Sequence, residues 1–403
     1  MAAATTYTSY VLGECWVIMQ RRWPEYRDYC RKPYPEIGQR AMGPIVKLIV
    51  TICIDITQFG IAVVYLLLSS KNIHDFLEAF FETDFSFCYI IIIMCICLLP
   101  VTFLKSPQDF WLVIVVGMVT TLAAVVLILV GSALDYGTCA HVSGKNTRLV
   151  PTNYFLALVL ILIYVPVSVV GYLTYGNSIQ SSIINSIQVL PIQQIVNVFI
   201  TIHCVLTLTI VFNPLNQDAE EVVNAPHHFG WQRVLVRTFV MMAVGFIAET
   251  IPNFGPLLDL VGGSTITLTA LVFPCLFYLY LSVGEDAMNS ECTSAQFEEY
   301  CDKSPSFSEV IQRTPKRRLI ICAAVITLAI VGGAATTYSA IRELVTTQFS
   351  LPCYLRSVMN ALESGDSTGE GTSMNCCGLW QNVSRTGDNA RCSKFIDFYN
   401  QYD

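Results

Sequence analysis

Charged residues are scarce in this sequence: Asp, Glu, Lys and Arg together make up only 13% of its 403 residues. A soluble domain usually carries about 25%, so this is not the composition of a soluble protein. No segment of domain size has a basic face, and nothing therefore indicates binding of nucleic acid. The N-terminus lacks a basic stretch followed by a cleavage site, so we expect no signal peptide.

Apolar residues, in contrast, make up 54% of the chain, and they fall into separate blocks. The blocks predict an all-α polytopic membrane protein with about eight full spans and a partial span at the N-terminus. The predicted spans cover residues 5–19, 42–69, 87–103, 110–130, 154–175, 191–212, 232–248, 257–281 and 319–341. Residues 71–86 are predicted to be an outside loop that could contain a short surface helix, and residues 213–231 are predicted to be a loop.

The longest apolar run, residues 42–69, contains Asp55, Thr57 and Gln58 near its middle. At about 1.5 Å per residue the run is long enough to cross a hydrocarbon layer of about 30 Å. A carboxylate at the centre of the bilayer costs about 2.5–3.5 kcal/mol, so Asp55 should face protein or a water-filled cavity. We interpret this span as the wall of a path for a solute.

The polar segment 342–403 carries four clustered cysteines and a glycosylation sequon at Asn382. The cysteines are Cys353, Cys376, Cys377 and Cys392. This combination is typical of an oxidising, glycosylated compartment. We therefore predict an extracellular or lumenal tail with disulfides, whose connectivity the sequence leaves open. The alternative is four free thiols and a chance sequon.

Two basic segments, residues 20–40 and 313–318, should both face the cytoplasm, because Lys and Arg are enriched in cytoplasmic loops. Seven predicted spans lie between them, and an odd number places the two segments on opposite sides of the membrane. Either one of the charge assignments is wrong or one span is missing. We place the missing span near residues 132–156, where one further span would restore an even count, and we call this segment the seam.

Several long motifs carry a resemblance to a known family. They are YVPVSVVGYLTYGNSIQSSIINSI at 164–187, TQFG at 57–60, and NPLNQDAEEVV, AETIPNF and LLDLVGGSTITLTALVFP within 213–281. GECW followed by RRWPEYRD near the N-terminus adds to them. The chain resembles the amino acid/auxin permease family over nearly its whole length, especially proton- or cation-coupled and vesicular inhibitory amino acid transporters.

The resemblance implies the inverted-repeat, LeuT/APC-like transporter fold with eleven spans, of which residues 1–341 would form an incomplete copy. Residues 5–19 would then belong to the second span, 42–69 to the third and 154–175 to the seventh. The first and sixth spans have no counterpart, and the missing sixth would lie at the seam. In this fold the first helix of each repeat is discontinuous and helps to hold the substrate.

The same resemblance suggests residues that bind the substrate. Thr57 and Gln58 match the third-span motif and could offer hydrogen bonds to an amino acid. The alternative is a role as polar contacts between helices, worth about 0.6 kcal/mol on average. Gly262, Gly263 and Ser264 could unwind near the substrate or could merely permit close packing.

Candidate residues for ion coupling are Asp55, His203 and Thr207. A buried carboxylate such as Asp55 can titrate near neutral pH and carry a proton, although a structural ion pair is the alternative. His203 could couple protons or could be a satisfied interhelical donor, and Thr207 could line a cation site or bond to its own helix. We expect no metal and no cofactor beyond the coupling ion, H⁺ or Na⁺.

The sequence therefore predicts secondary active transport of small neutral amino acids across the plasma membrane or an endolysosomal or vesicle membrane. The rival hypothesis is a shortened, transport-inactive form, which would act, if at all, by pairing with a full-length copy. A helical receptor fits poorly, because no acidic-Arg-aromatic triplet closes the third span. An enzyme is not expected, because no pair of catalytic groups can be assembled at one membrane depth.

Overall fold

Helices dominate the computed structural model of this protein. It describes residues 2–28, 30–81, 86–103, 111–140, 158–179, 183–225, 230–251, 254–291 and 304–346, together with residues 353, 376–378, 383–384 and 392. Apart from turns and a two-residue bridge between Cys377 and Val383, these residues are helical. The predicted all-α class is thereby confirmed.

The helices follow the apolar blocks of the sequence. In the first half they are α1 (Ala2–Arg22), α2 (Pro33–Met42), α3 (Pro44–Phe81), α4 (Phe87–Thr102), α5 (Trp111–Cys139) and α6 (Leu158–Tyr175). In the second half they are α7 (Ile183–Ser186), α8 (Leu190–Val222), α9 (Trp231–Thr250), α10 (Phe254–Val261), α11 (Phe273–Glu291), α12 (Phe307–Arg313) and α13 (Lys316–Thr346). Two π-helical turns join α10 to α11, so that this helix is continuous.

Five of the described helices are long and apolar enough to cross a membrane. They are Pro44–Leu77, Ile114–Cys139, Leu190–Val222, Gly255–Met288 and Lys316–Val345. Two shorter apolar helices, Phe87–Thr102 and Val165–Tyr175, accompany them. The chain is accordingly a multi-pass integral membrane protein, as predicted.

The predicted starts of two loops are wrong, because the preceding helices continue into both segments. α3 runs on to Phe81, into the predicted loop 71–86, and α8 runs on to Val222, into the predicted loop 213–231. The polar residues of the α8 extension are buried: Glu220 is only 3% exposed and Asn216 is fully buried. Hydropathy marks the end of an apolar block, but the helix ends where its packing partners end.

The chain folds as two compact units, Met1–Gly60 with Leu258–Glu343 and Ile61–Leu257 with Leu344–Asp403. In the first unit α1 packs along α11, and α2 and α12 also pack on α11. The core of this unit contains Cys15, Met19 and Phe277, all fully buried.

The two basic segments lie at the same end of the first unit. Arg21 Nη1 is 3.6 Å from Glu285 Oε1, and the Arg22 side chain packs on Gly284, both in α11. The Arg318 guanidinium lies over the ring of Tyr278, 4.8 Å from its centroid, about two turns before Glu285 on the same helix. This placement agrees with the predicted shared cytoplasmic side, although seven predicted spans separate the two segments along the chain.

A polar cluster fixes α2 against the start of α3. Tyr26 OH donates to Glu36 Oε2 (3.1 Å) and accepts from Arg40 Nε (3.1 Å). Lys47 Nζ donates to Glu36 Oε1 (2.5 Å). Burial is the largest cause that raises the pKa of the Tyr26 phenol, which therefore keeps its proton and its hydrogen bond to Glu36.

In the second unit the ends of α5 and α6 lie together. Thr174 Oγ1 donates to Ser132 O (3.2 Å), and Tyr175 OH donates to Asp135 Oδ2 (2.7 Å). All four residues stand near the C-terminal ends of their helices. The C-terminal ends of the two helices are therefore at the same level.

Farther from these ends, α5 and α6 remain packed against each other. Val167 of α6 packs against the apolar cluster that contains Ala124 and Ile128 of α5. The two helices are consequently parallel neighbours, and their connection is residues 141–157. At about 1.5 Å per residue, α6 rises roughly 27 Å from Leu158 to its C-terminal end, which is close to one hydrocarbon thickness.

Among the described residues, two disulfides tie the C-terminal part of the chain to helices of the second unit, and a third lies within the C-terminal part. Cys353 is joined to Cys88 at the start of α4, and Cys377 is joined to Cys139 at the end of α5. Cys376 is joined to Cys392. All four cysteines singled out in the tail thus take part in disulfides, two of them with helices that the sequence did not identify as partners.

Candidate functional site

The TQFG motif at residues 57–60 packs against the end of α10, within the first unit. A Cβ at Gly60 would overlap the Val261 side chain, so a larger residue there would push the two helices apart. Val261 immediately precedes Gly262. The packing therefore brings two separately predicted substrate-binding motifs side by side.

The helix after Val261 widens into two π-helical turns, Gly262–Ile266 and Leu268–Val272. Pro274 follows them, and a proline has no N–H for the carbonyl one turn back. Such π-turns leave backbone groups that side chains can satisfy. Thr267 Oγ1 donates to Gly262 O (2.8 Å), and Tyr34 OH donates to Thr269 O (2.5 Å).

The three predicted residues of this segment have different surroundings. A Cβ at Gly263 would lie 2.9 Å from Thr337 N of α13, so this glycine permits close packing of two backbones. Gly262 faces open space, since no atom lies within 4 Å of where its Cβ would stand. Ser264 Oγ donates to Leu260 O (2.6 Å) of its own helix. The segment is widened but not broken.

The polar side chains of α3 lie on the same unit. Thr57 Oγ1 donates to Cys53 O (2.7 Å), which satisfies the hydroxyl within its own helix. Gln58 Oε1 is buried and has no hydrogen-bond partner among the described residues. Asp55 is half-buried, and its Oδ1 is shielded from solvent. Gln58 therefore has an acceptor atom available for a ligand, whereas Thr57 does not need one.

His203 and Thr207, the other candidates for ion coupling, belong to the second unit. His203 Nδ1 lies 2.9 Å from Thr121 Oγ1 and 3.1 Å from Gly117 O, both in α5. Thr207 Oγ1 donates to His203 O (2.8 Å). The two His203 contacts join α8 to α5 and match the interpretation of His203 as an interhelical hydrogen-bonding residue, whereas Thr207 bonds to its own helix.

A buried ion network in the second unit was not predicted. Glu220 of α8 accepts a charged hydrogen bond from Arg237 Nε (2.5 Å), and Arg233 Nε lies 3.0 Å from the same carboxyl oxygen. Arg237 also donates to Thr102 O at the end of α4. The signal was present in NPLNQDAEE and WQRVLVR, but these charges were assigned to a loop and to the start of a span.

Asp135 is a second buried carboxylate that the sequence analysis missed. It is fully buried, and its Oδ2 accepts from Tyr175 OH (2.7 Å) and from Gln188 N (2.9 Å). Gln188 Nε2 in turn donates to Val383 O (3.2 Å). Asp135 thereby connects the ends of α5 and α6 to the disulfide-bonded part of the tail.

One group in the described part of the chain approaches the geometry of a metal site. Ligand atoms of Cys88, Glu249 and Cys353 lie within 4.8 Å of one another. The two sulfurs are joined in a disulfide, and disulfide sulfurs are not the thiolate ligands that metals require. The predicted glycosylation residue, Asn382, lies outside the described residues.

Comparison with known proteins identifies relatives for this set of helices. A family model described as transmembrane amino acid transporter protein matches residues 1–154 and, separately, 152–298. The two matches together cover well over half of the chain. They meet at residues 152–154, inside the connection between α5 and α6.

Individual relatives come from Arabidopsis thaliana. Lysine histidine transporter-like 4 is 33% identical over 123 residues, 29% of this chain and 27% of that protein. Amino acid transporter AVT1E is 21% identical over 355 residues, 77% of this chain and 62% of that protein. The matches therefore span less than two-thirds of the length of these two relatives.

Proposed function

Because the chain belongs to the transmembrane amino acid transporter protein family, we propose that it takes part in secondary active transport of small neutral amino acids. The driving gradient is H⁺ or Na⁺. The membrane is the plasma membrane or that of an endolysosome or vesicle, in keeping with the disulfides of the tail. No enzymatic step is part of this proposal, and the relatives are transporters.

The buried amide oxygen of Gln58 is the observation that carries the proposal. It lacks a hydrogen-bond partner among the described residues, which costs about 1–3 kcal/mol for a buried polar atom. The ammonium group of an amino acid would satisfy it. Gly60 of the same motif packs on Val261, which immediately precedes Gly262, and we propose that the two motifs together bind one small zwitterion.

Asp55 is the proposed carrier of the coupling ion, since it stands one helical turn before Gln58. Its carboxylate would bind Na⁺ directly or would carry a proton. His203 and Thr207 hydrogen-bond within and between α8 and α5, and we assign them a bracing role that transmits helix movement. This division predicts that a substitution at Asp55 changes the ion dependence of transport more than a substitution at His203 does.

Uptake into proteoliposomes tests the proposal. Labelled alanine should accumulate under an inward H⁺ or Na⁺ gradient, and lysine and histidine should compete poorly. Gln58→Leu should raise KM about tenfold, because it removes a charged hydrogen bond of about 1.5 kcal/mol. Gln232→Leu changes an exposed glutamine and serves as the matched control. Equal KM values in both variants would contradict the role of Gln58.

A second candidate function follows from the parallel arrangement of α5 and α6. If no further crossing joins them, the chain is a shortened family member that does not transport alone and acts by pairing with a full-length copy. Residues 141–157 include Lys145, Arg148 and Pro151 and do not read as a membrane-spanning helix. Absence of gradient-driven uptake by the reconstituted chain would favour this candidate.

A further inference from the structure

An apolar groove runs along the outside of the second unit, between α4 and α9. Its volume is about 290 Å³, and its walls include Ile92, Ile96, Met242 and Phe246. Met242 and Phe246 are 59% and 60% exposed, so the groove is open on one side. In a membrane protein, apolar side chains with this exposure face lipid.

One carboxylate closes the end of this groove. Glu249 lines it, and its Oε1 is buried without a hydrogen-bond partner among the described residues. A carboxyl oxygen of Glu249 also lies within 4.8 Å of the sulfurs of Cys88 and Cys353. Neither the ion network at Glu220 nor the contacts of Asp135 include this residue. A carboxylate beside hydrocarbon is costly unless a cation or a donor meets it.

Glu249 lies just past the predicted span 232–248, where a crossing helix would reach the level of lipid headgroups. It stands in the last turn of α9, and its neighbour Cys88 stands in the first turn of α4, beside the disulfide to the tail. From Glu249 to Thr238, the innermost α9 residue of the groove, α9 rises roughly 16 Å. This length is about half of a hydrocarbon layer of about 30 Å, the reach of one acyl chain.

We propose that the groove binds a phospholipid with an ethanolamine headgroup from the leaflet on the side of the disulfides. The ammonium group of the lipid pairs with the Glu249 carboxylate, and one acyl chain fills the groove along α4 and α9. A primary ammonium offers three N–H donors, as the lysine side chain does. The quaternary nitrogen of choline offers none, so Glu249 selects ethanolamine over choline.

Lipid binding to the full chain in detergent tests this proposal by native mass spectrometry. With equal amounts of phosphatidylethanolamine and phosphatidylcholine, the wild-type protein should retain the ethanolamine lipid about tenfold more often. Glu249→Gln keeps the side-chain shape, removes the charge and should bring the ratio close to one. Asp259→Asn, which changes an exposed carboxylate in the second half of α10, should leave the ratio unchanged.

A second variant tests the groove without touching the carboxylate. Met242→Trp fills the groove and should lower the binding of both lipids several-fold. Phe239→Trp enlarges a side chain that is 68% exposed on α9 but does not line the groove, and it should have no effect. An unchanged lipid ratio in Glu249→Gln, equal binding in the two tryptophan variants, or preferential displacement of the phospholipid by a sterol would each overturn the proposal.

Discussion

Glu220→Gln is expected to destabilise the second unit by about 3–5 kcal/mol, the cost of removing one partner from a buried ion pair. Arg237 is only 1% exposed and Arg233 6%, so both guanidinium groups lose their shared carboxylate without gaining water. In detergent, the loss should appear as a clear drop in the midpoint of thermal unfolding, with less monodisperse protein after heating. Fluorescence-detected size-exclusion chromatography measures both quantities.

The neighbouring residue provides the matched control for this prediction. Glu221 is exposed, and Glu221→Gln should change the unfolding midpoint little. Replacing Glu220 and Arg237 together by methionine should recover part of the loss, because paired removal leaves fewer buried charges unmatched. If Glu220→Gln and Glu221→Gln unfold at the same temperature, the network contributes nothing to stability.

The network also shows what hydropathy can and cannot predict. The apolar blocks identified α3, α5, α8 and α13 correctly, because a membrane helix needs about 20 apolar residues whatever its neighbours are. The end of α8 was not predicted, since Asn216 and Glu220 are polar and yet buried against other helices. Burial of a polar residue depends on a partner such as Arg237, and sequence spacing does not reveal that partner.

The candidate site, too, was predictable only in part, because sequence motifs do not reveal which residues pack against each other. The motifs at residues 57–60 and 262–264 were recognisable, but their packing at Gly60 and Val261 depends on tertiary structure. The sequence left open whether the two glycines unwind the helix or allow close packing. In the structure Gly263 meets α13, whereas the helix widens in the two π-helical turns that precede Pro274. The disulfide partners Cys88 and Cys139 likewise depend on pairings distant in sequence.

The second prediction with a large expected effect is a change in membrane orientation when a helix is inserted between α5 and α6. The two helices are parallel, the basic segments at Arg21 and Arg318 share one end of the first unit, and the family match divides at residues 152–154. Each observation is independent of the others. All three raise the question of whether the chain crosses the membrane once more between Cys139 and Leu158.

Without that crossing, every helix after the seam inserts in the opposite direction. Residues 141–157 stay on the side of Cys139, α6 then crosses toward the cytoplasm, and the tail finishes in the cytoplasm. Asn382 would not meet the glycosylation machinery. Cys139 and Cys377 would lie on opposite sides of the membrane, and their disulfide could not form.

Inserting one apolar helix of about 21 residues between Pro151 and Thr152 is therefore expected to restore the folded arrangement. Glycosylation at Asn382 should rise about tenfold over the native chain, because the added helix reverses the orientation of everything that follows. Cleavage by a glycosidase after translation in the presence of microsomes measures the glycosylated share. The Cys139–Cys377 and Cys88–Cys353 disulfides should appear with it, as a mobility shift on reduction.

A Gly/Ser insert of the same length provides the control, because it lengthens the connection without adding a crossing. The Gly/Ser insert should leave Asn382 unglycosylated. In the chain with the apolar insert, Asn382→Gln should abolish the glycosidase-sensitive form. Efficient glycosylation of the native chain would show that residues 141–157 already return across the membrane. The chain would then be complete at this point, and transport by the single copy would be the stronger of the two proposed functions. The orientation of the tail consequently decides between an active transporter and a shortened form that needs a partner.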